Sequence, residues 1–401
     1  MTQEDIAQLL GVYARKLKVT DLTFKRYLYD QINWDVRLIG IKGTRGSGKT
    51  TLLLQRIKEN FSNPEDAFYA SLDNFWFQNH TLGELAEWLY SRGVKYLFLD
   101  EVHKYPQWSL ALKNLYDNYP ELYIVYTGSS MLEIDYSKVD LSRRQTLYTL
   151  NVMSFREYLE FEGVLKMDAI PLEELLQNHV AKAMDITSKV KVLRYFDDYL
   201  RRGCYPFYKE SGDDYLIRLS ETVQVVMESD LPAVEDVAFS TIQKAKALLM
   251  VIANNVPMEP NIQLLCSQLE TTRDLCLKLL YALDRAGLLL LLTEEPKSYK
   301  RLVKPRKIYL GNSNLMYALS PSTDLGTKRE TLFLNQLNSV ASVVMPQKGD
   351  FKADDRFLFE VGGKGKSFDQ IADVPESYLI IDDVEVGYGN RIPLWMFGLL
   401  Y

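Results

Sequence analysis

The sequence predicts an α/β chain of several modules: a parallel sheet at the start, then a helical stretch, a winged helix-turn-helix and a small α+β module at the end. Three observations carry this. Buried apolar strand runs ending in glycine, hydroxyl or acidic residues recur up to Leu150. Helical apolar spacing without a strong strand fills 154–235. Three more helical runs follow from Thr241, closed by Gly287 and two short apolar strands. With 401 residues the chain is too long for one ordinary core. The domains expected are 1–153, 154–235, 236–320 and 321–401.

Composition sets the class. The chain is 47% apolar and 25% charged, so each module can bury a core and none is obliged to be disordered. A net charge of -6 gives no whole-chain attraction to phosphate, and any nucleic-acid contact must come from a local basic patch. Cys204, Cys266 and Cys276 fit neither a disulfide framework nor a zinc site, which points to a reducing cytoplasm. Met1 to Leu10 carries Glu4 and Asp5 and no basic leader, and no apolar run approaches a bilayer span, so no membrane is expected. His80, His103 and His179 are too scattered for a metal cluster and read as solvated or locally hydrogen-bonded side chains.

The first strand, Val36 to Ile41, runs into Gly43, Thr44, Arg45, Gly46, Ser47, Gly48, Lys49 and Thr50, and then into a helix from Thr51. Strand, glycine loop and helix in that order form a P-loop. The glycines let backbone N–H groups approach phosphate oxygens, and the helix N-terminus adds its own orphan donors. Lys49 is expected on the β- and γ-phosphates of ATP and Thr50 on Mg²⁺. A second strand, Ala67 to Asp73, also ends in an acid. The third, from Val94, ends in Asp100 and Glu101, a pattern that assigns Asp100 to Mg²⁺ and Glu101 to water activation. The fourth, from Leu122, ends in Thr127 and Ser129, hydroxyls suited to the γ-phosphate or the attacking water. Arg143 and Arg144 precede a fifth strand, Thr146 to Leu150, and are expected at the same C-terminal rim. An arginine there stabilises transition-state charge in its own subunit or, in a homo-oligomer, from a neighbour.

Gly43 to Thr51, Phe98 to His103, Thr127 to Ser130, and Arg144 followed by Met153 to Glu157 together resemble the AAA+-type domain of a large bacterial family of uncharacterised ATPases. The resemblance implies Mg-ATP binding and hydrolysis. Relatives usually have proline near Val152 or Met153, and commonly glycine where this chain has Arg143, so the arginine that faces phosphate is either Arg143 or Arg144. Tyr199 to Pro206 resembles the family's lid region, with Gly203 and Pro206 as a turn signal.

Helices are expected from Thr241 to Asn254, Asn261 to Leu269 and Arg273 to Ala286, then a strand from Leu288 to Leu292. The last helix has one apolar face, Leu275, Leu279, Ala282, Leu283 and Ala286, leaving Arg273, Lys278 and Arg285 for solvent. Lys297 to Lys307 is rich in Lys and Arg and precedes the strand Ile308 to Leu310. The whole is similar to a winged helix-turn-helix, a module that binds duplex DNA, here through Arg273–Lys307, or serves as a protein-docking surface.

Residues 325–401 resemble the small domain that ends the same family, whose core is related to PD-(D/E)XK nucleases. Gly326 to Phe333, Gly349 to Phe351 and Phe359 to Lys366 carry the likeness. It implies a second metal site at Asp350 and Glu360, with Glu330 as a third acid. Where the nuclease pattern has lysine this chain has Gly362, and Lys364 and Lys366 lie in the loop beyond, so a degenerate docking fold is the expectation. Three functions stay open: an ATP-driven switch or remodeller acting on DNA, a nucleotide-gated protein-interaction module, and an ATP-controlled metal-dependent nuclease.

Overall fold

Five apolar runs line up in one direction as a parallel sheet: β1 (Leu38–Gly43), β2 (Ala67–Ser71), β3 (Tyr96–Asp100), β4 (Tyr123–Gly128) and β5 (Thr146–Leu150). The order is β2-β3-β4-β1-β5. Leu38, Ile39 and Ile41, Phe68, Leu97 to Leu99, and Ile124 with Val125 are all buried, as strands covered on both faces require. Helices α1 (Gln3–Val19), α3 (Lys49–Asn60), α4 (Leu82–Tyr90) and α5 (Trp108–Asn118) supply that cover, with a single turn, α2 (Leu28–Gln31), between α1 and β1. Thr81 and Glu84 close a capping box on α4, each side chain bonding the other's backbone N–H. Because all five strands share a direction, the C-terminal ends of β1, β3 and β4 lie at one edge of the sheet.

In this computed structural model, residues 3–61, 63, 66–128, 141, 143–232, 239–296, 302–320 and 324–401 are described. They divide into two units, Met1–Val152 with Ser229–Asp236, and Met153–Glu228 with Val237–Tyr401. The segments expected as lid, winged helix and tail therefore share the second unit, while Ser229–Asp236 returns to the first, a return that no pattern in the sequence announces. Among the described residues no helix is long and apolar enough to cross a membrane.

The second unit begins with the helix Phe155–Phe161, capped by Ser154 and Glu157, both buried. Helices Phe239–Ala253, Ile262–Gln268 and Arg273–Arg285 then lead to an antiparallel pair, β6 (Leu289–Leu292) and β7 (Lys307–Leu310). The expected solvent side of the third helix needs correction: Arg273 and Lys278 are exposed, but Arg285 is only 7% exposed. The cause is the tight reversal at Gly287, whose φ of 73° lies in the left-handed region. It folds β6 back over the last turn, with Leu288 N–H donating to Leu283 O at 3.0 Å and Leu291 N–H to the Asp284 carboxylate at 2.9 Å.

A second sheet, order β12-β11-β10-β9-β8, closes the unit: β8 (Val343–Val344), β9 (Phe351–Ala353), β10 (Phe357–Gly362), β11 (Ser377–Ile381) and β12 (Arg391–Pro393). It is mixed, with β9 antiparallel and β11 parallel to β10. Phe333 on the helix Leu325–Leu337 packs on Phe351, Phe359 and Phe397, ring centroids 4.7 to 5.4 Å away.

Candidate functional site

The loop after β1 bends where glycine permits it: Gly46 and Gly48 have φ of 83° and 97°, and Gly48 caps α3. Gly43 answers a different need, since a Cβ there would lie 2.4 Å from Leu150 O on the neighbouring strand. The loop is held from below by Arg26, 4% exposed, whose guanidinium donates to Ser47 O and, at 2.8 Å, to Asn151 O. Lys49 is buried and folds back on its own loop, Nζ donating to Gly43 O and Thr44 O at 2.9 Å each. Burial pushes its pKa down against the opposing pull of Glu101, Asp100 and Asp230. The hydroxyls of Thr44 and Ser47 are buried without a hydrogen-bond partner among the described residues, as befits a loop shaped for a ligand's oxygens.

Three hydroxyls converge on the Asp100 carboxylate, which is 2% exposed. Thr50 Oγ1 donates to Oδ2 at 2.7 Å, Tyr69 OH donates to Oδ2 at 2.9 Å, and Thr127 Oγ1 donates to Oδ1. Burial and the Asp100 charge drive the Tyr69 phenol far above its ordinary pKa, so it stays a donor. A hydroxyl and a carboxylate oxygen side by side are hard donors of the type Mg²⁺ takes from a protein, so Thr50 and Asp100 fit the ion.

Glu101, the next residue, sits in the left-handed region at φ 54°, ψ 41°, a strain of order 1–3 kcal/mol for a side chain with a Cβ. Its N–H donates to Thr127 Oγ1 at 3.3 Å. Its carboxylate is 3.5 Å from His103 Nε2, and that nitrogen is 3.6 Å from Oδ1 of Asp230. Lys104 Nζ and Arg45 Nη1 lie 3.5 and 3.9 Å from the same Oδ1. Burial acts to raise the pKa of Asp230, but the bond and charge of His103, with Lys104 and Arg45, outweigh it and hold the carboxyl below its usual value.

Gly43 to Thr51, Asp100, Glu101 and Thr127 are thus gathered at one sheet edge. Thr127 spends its hydroxyl on Asp100 and Glu101. Ser129 lies outside the described residues. Arg143 and Arg144 require correction: they are not at the C-terminal rim. β5 runs parallel to β1 with Thr146 opposite Ile39 and Leu150 opposite Gly43, so residues before Thr146 lie at the far edge. Four residues of strand separate the two edges by about 13 Å. There Arg144 pairs with Asp117 at the end of α5, Nε to Oδ1 2.9 Å. Arg26, Tyr69, His103 and Asp230 were not expected at the site. Arg26 and Asp230 act across long chain separations that leave no local pattern, and Tyr69 reads in sequence as one more strand aromatic.

In the second unit, Asp350 and Glu360 do occupy neighbouring chain segments, Asp350 N–H donating to Phe359 O at 2.9 Å. The Asp350 carboxylate accepts from Val361 N–H at 2.9 Å. Glu360, 1% exposed, pairs with Lys366 at 2.7 Å, while Lys364 pairs with Asp383. Lys366 thus reaches the acid that Gly362 cannot serve. A Cβ on Gly362 would stand 2.6 Å from that of Lys366, so the glycine vacates the space the lysine stem fills. Glu330 accepts from Tyr309 OH at 2.6 Å, and burial raises its pKa. Among the described residues no three His, Cys, Asp or Glu side chains are grouped to hold a metal.

Residues 35–159 match the family model described as an AAA domain. The match covers the sheet and the loop, and supports reading this part of the chain as similar to AAA-type, nucleotide-binding P-loop domains. The uncharacterized protein MJ1637 of Methanocaldococcus jannaschii is 29% identical over 310 residues, 71% of this chain and 64% of its own length. MJ1544 of the same archaeon is 24% identical over 309 residues, 74% of this chain and 65% of its length. The chain spans just under two thirds of both relatives. Among solved structures, AMPPCP-bound DnaA from Aquifex aeolicus is 16% identical, with 71% of this chain and 89% of that chain covered and a TM-score of 0.27. Domain III of the Thermotoga maritima replication initiation protein DnaA is 15% identical, with 54% and 92% covered and a TM-score of 0.26. Overlaps this loose carry no argument.

Proposed function

We propose that the chain is a Mg-ATP-binding and ATP-hydrolysing switch whose second unit engages a protein partner. The observation that carries the first half is the 2.7 Å meeting of Thr50 and Asp100 directly beside the loop, with Glu101 next in the chain. Backbone N–H groups of Gly46 to Thr50 and the start of α3 take phosphate oxygens, and Lys49 exchanges its two carbonyl partners for the β- and γ-phosphates. Thr50 and Asp100 would hold Mg²⁺, which would supply charge neutralisation on those phosphates. Glu101 accepts a proton from water as its oxygen attacks the γ-phosphorus. The bond to the β,γ-bridging oxygen breaks, releasing ADP and inorganic phosphate. Arg144, at the far edge, serves catalysis only from a neighbouring subunit of a homo-oligomer, and then turnover per subunit rises with protein concentration.

For the second half, a winged helix-turn-helix reading of 236–320 is supported by its three helices and antiparallel pair. A helix that reads a DNA groove must present its side chains. Arg273–Arg285 leaves Arg273, Asp274 and Lys278 exposed and buries the rest of its length from Cys276 on. Of the wing's three described cations, Arg306 lies 3.4 Å from Glu294 and Lys307 3.5 Å from Glu330, while Lys304 is exposed; Lys297, Lys300 and Arg301 lie outside the described residues. These pairings favour a protein partner over duplex DNA. They also favour docking over metal-dependent cleavage, since Asp350 and Glu360 are engaged by Val361 N–H and Lys366.

The test is ATP turnover by the parent and by Glu101→Gln, with and without duplex DNA at low and moderate salt. Turnover lost in Glu101→Gln and indifferent to DNA supports the proposal. Salt-sensitive stimulation by DNA transfers the second half to nucleic acid, and a parent without turnover overturns the first.

A further inference from the structure

Asp230 is the least accounted-for group of the site. It lies on the segment that returns to the first unit, is 1% exposed, and remains ionised because positive groups surround it. A buried carboxylate needs close partners to offset its lost hydration. Those of Asp230 are numerous but loose. His103 Nε2, Lys104 Nζ and Arg45 Nη1 stand 3.5 to 3.9 Å from Oδ1, and Oδ2 is buried with no hydrogen-bond partner among the described residues. Arg45 Nη1 is likewise buried without an acceptor within hydrogen-bond distance among the described residues.

Three donors spread around one small carboxylate, each beyond ideal reach, describe a site sized for something larger. A phosphoryl group carries three acceptor oxygens and up to two charges, and it would offer Arg45 Nη1 the acceptor it lacks while drawing in His103 and Lys104, whose Nζ here donates to Ser229 Oγ, at charge-assisted distances. Position agrees with this. Arg45 belongs to the phosphate loop itself, and His103 and Lys104 stand two and three residues after the acid placed to activate water.

We propose that Arg45, His103 and Lys104 form the subsite for the terminal phosphate of a nucleoside triphosphate, and that without nucleotide Asp230 occupies it as an internal stand-in. This rests on the nucleotide-binding reading and adds what the site discriminates. A triphosphate must expel Asp230; a diphosphate has no group to place there and leaves it seated. From Asp230 the chain runs back through Glu228 into the second unit, so expulsion moves a residue covalently next to that unit.

The experiment is equilibrium binding of fluorescent ATP and ADP analogues, with Mg²⁺, to the full chain as parent, Asp230→Asn and Lys104→Ala. Removing the competing charge frees the subsite, so Asp230→Asn should bind the ATP analogue about tenfold more tightly while ADP binding shifts less than about threefold. Lys104→Ala should weaken the ATP analogue alone. Unchanged or weaker ATP binding in Asp230→Asn, or an equal gain for ADP, overturns the proposal with nucleotide binding intact. A parent that binds neither analogue overturns the underlying reading as well.

Discussion

Replacing Thr127 by valine isolates the hydroxyl that ties β3 to β4. Thr127 is fully buried, and valine keeps its shape, so no cavity opens. What disappears is one donor to Oδ1 of Asp100 and one acceptor, 3.3 Å from Glu101 N–H. A hydrogen bond to an ionised acceptor contributes about 1.5–3 kcal/mol, and the long second contact adds little. Asp100 keeps Thr50 and Tyr69 on its other oxygen, which tempers the loss, and the expected cost is about 2 kcal/mol. The assay is native-state amide hydrogen exchange in β3 and β4, because it reports the first unit separately from the second. A cost of that size speeds exchange about 30-fold where these amides open with the unit as a whole. ATP turnover should fall as well, since the strained Glu101 backbone loses an anchor. Exchange within about threefold of the parent would refute the assignment of that hydroxyl to Asp100.

Two further outcomes concern the second unit. Asp324 caps the helix Leu325–Leu337 by accepting from Thr327 N–H at 3.0 Å, and that bond, against a small burial penalty, holds its carboxyl below the usual range. A depressed folded pKa contributes stability that is complete above the unfolded value near 3.9 and lost as pH falls through the folded one. Asp324→Asn should therefore keep the cap but flatten the stability profile below about pH 4, and Asp324→Ala should cost about 1 kcal/mol at neutral pH in a urea melt. Lys366→Met leaves Glu360 buried without its cation and should destabilise by about 3 kcal/mol, whereas Lys364→Met, at an exposed pair, should change stability by less than about 0.5 kcal/mol. Equal effects in the two would contradict the pairing of Lys366 with Glu360.

How much could be read in advance depended on how local each feature was. The phosphate loop occupies eight consecutive residues between a strand and a helix, so Gly43 to Thr50 identify themselves. Asp100 and Glu101 are legible because a strand end sets their position. Arg144 was misplaced for the same kind of reason: whether a residue before β5 lies near or far from the loop depends on the direction and register of pairing with β1. Lys366 escapes a pattern that counts positions, because a lysine four residues beyond Gly362 reaches the same acid only once the loop has folded back. Arg285 obeys helical spacing and is still buried, since periodicity describes the helix but not the strand that returns across it. Tyr69 and Asp230 show the remaining limit, in which a side chain gains its meaning from a neighbour far along the chain.

The return of Ser229–Asp236 to the first unit sets an order of assembly during synthesis. When Val152 leaves the ribosome, every strand of the parallel sheet is available, yet the acid that faces His103, Lys104 and Arg45 has not been made. The whole of 153–228 must emerge before that contact can close, and a contact of such sequence separation forms late. A nascent sheet with its phosphate loop complete and its internal carboxylate missing is open to nucleotide from the solution. On the proposed reading, ATP meets the first unit before Asp230 does, and its binding would stabilise that unit by mass action before the chain is complete.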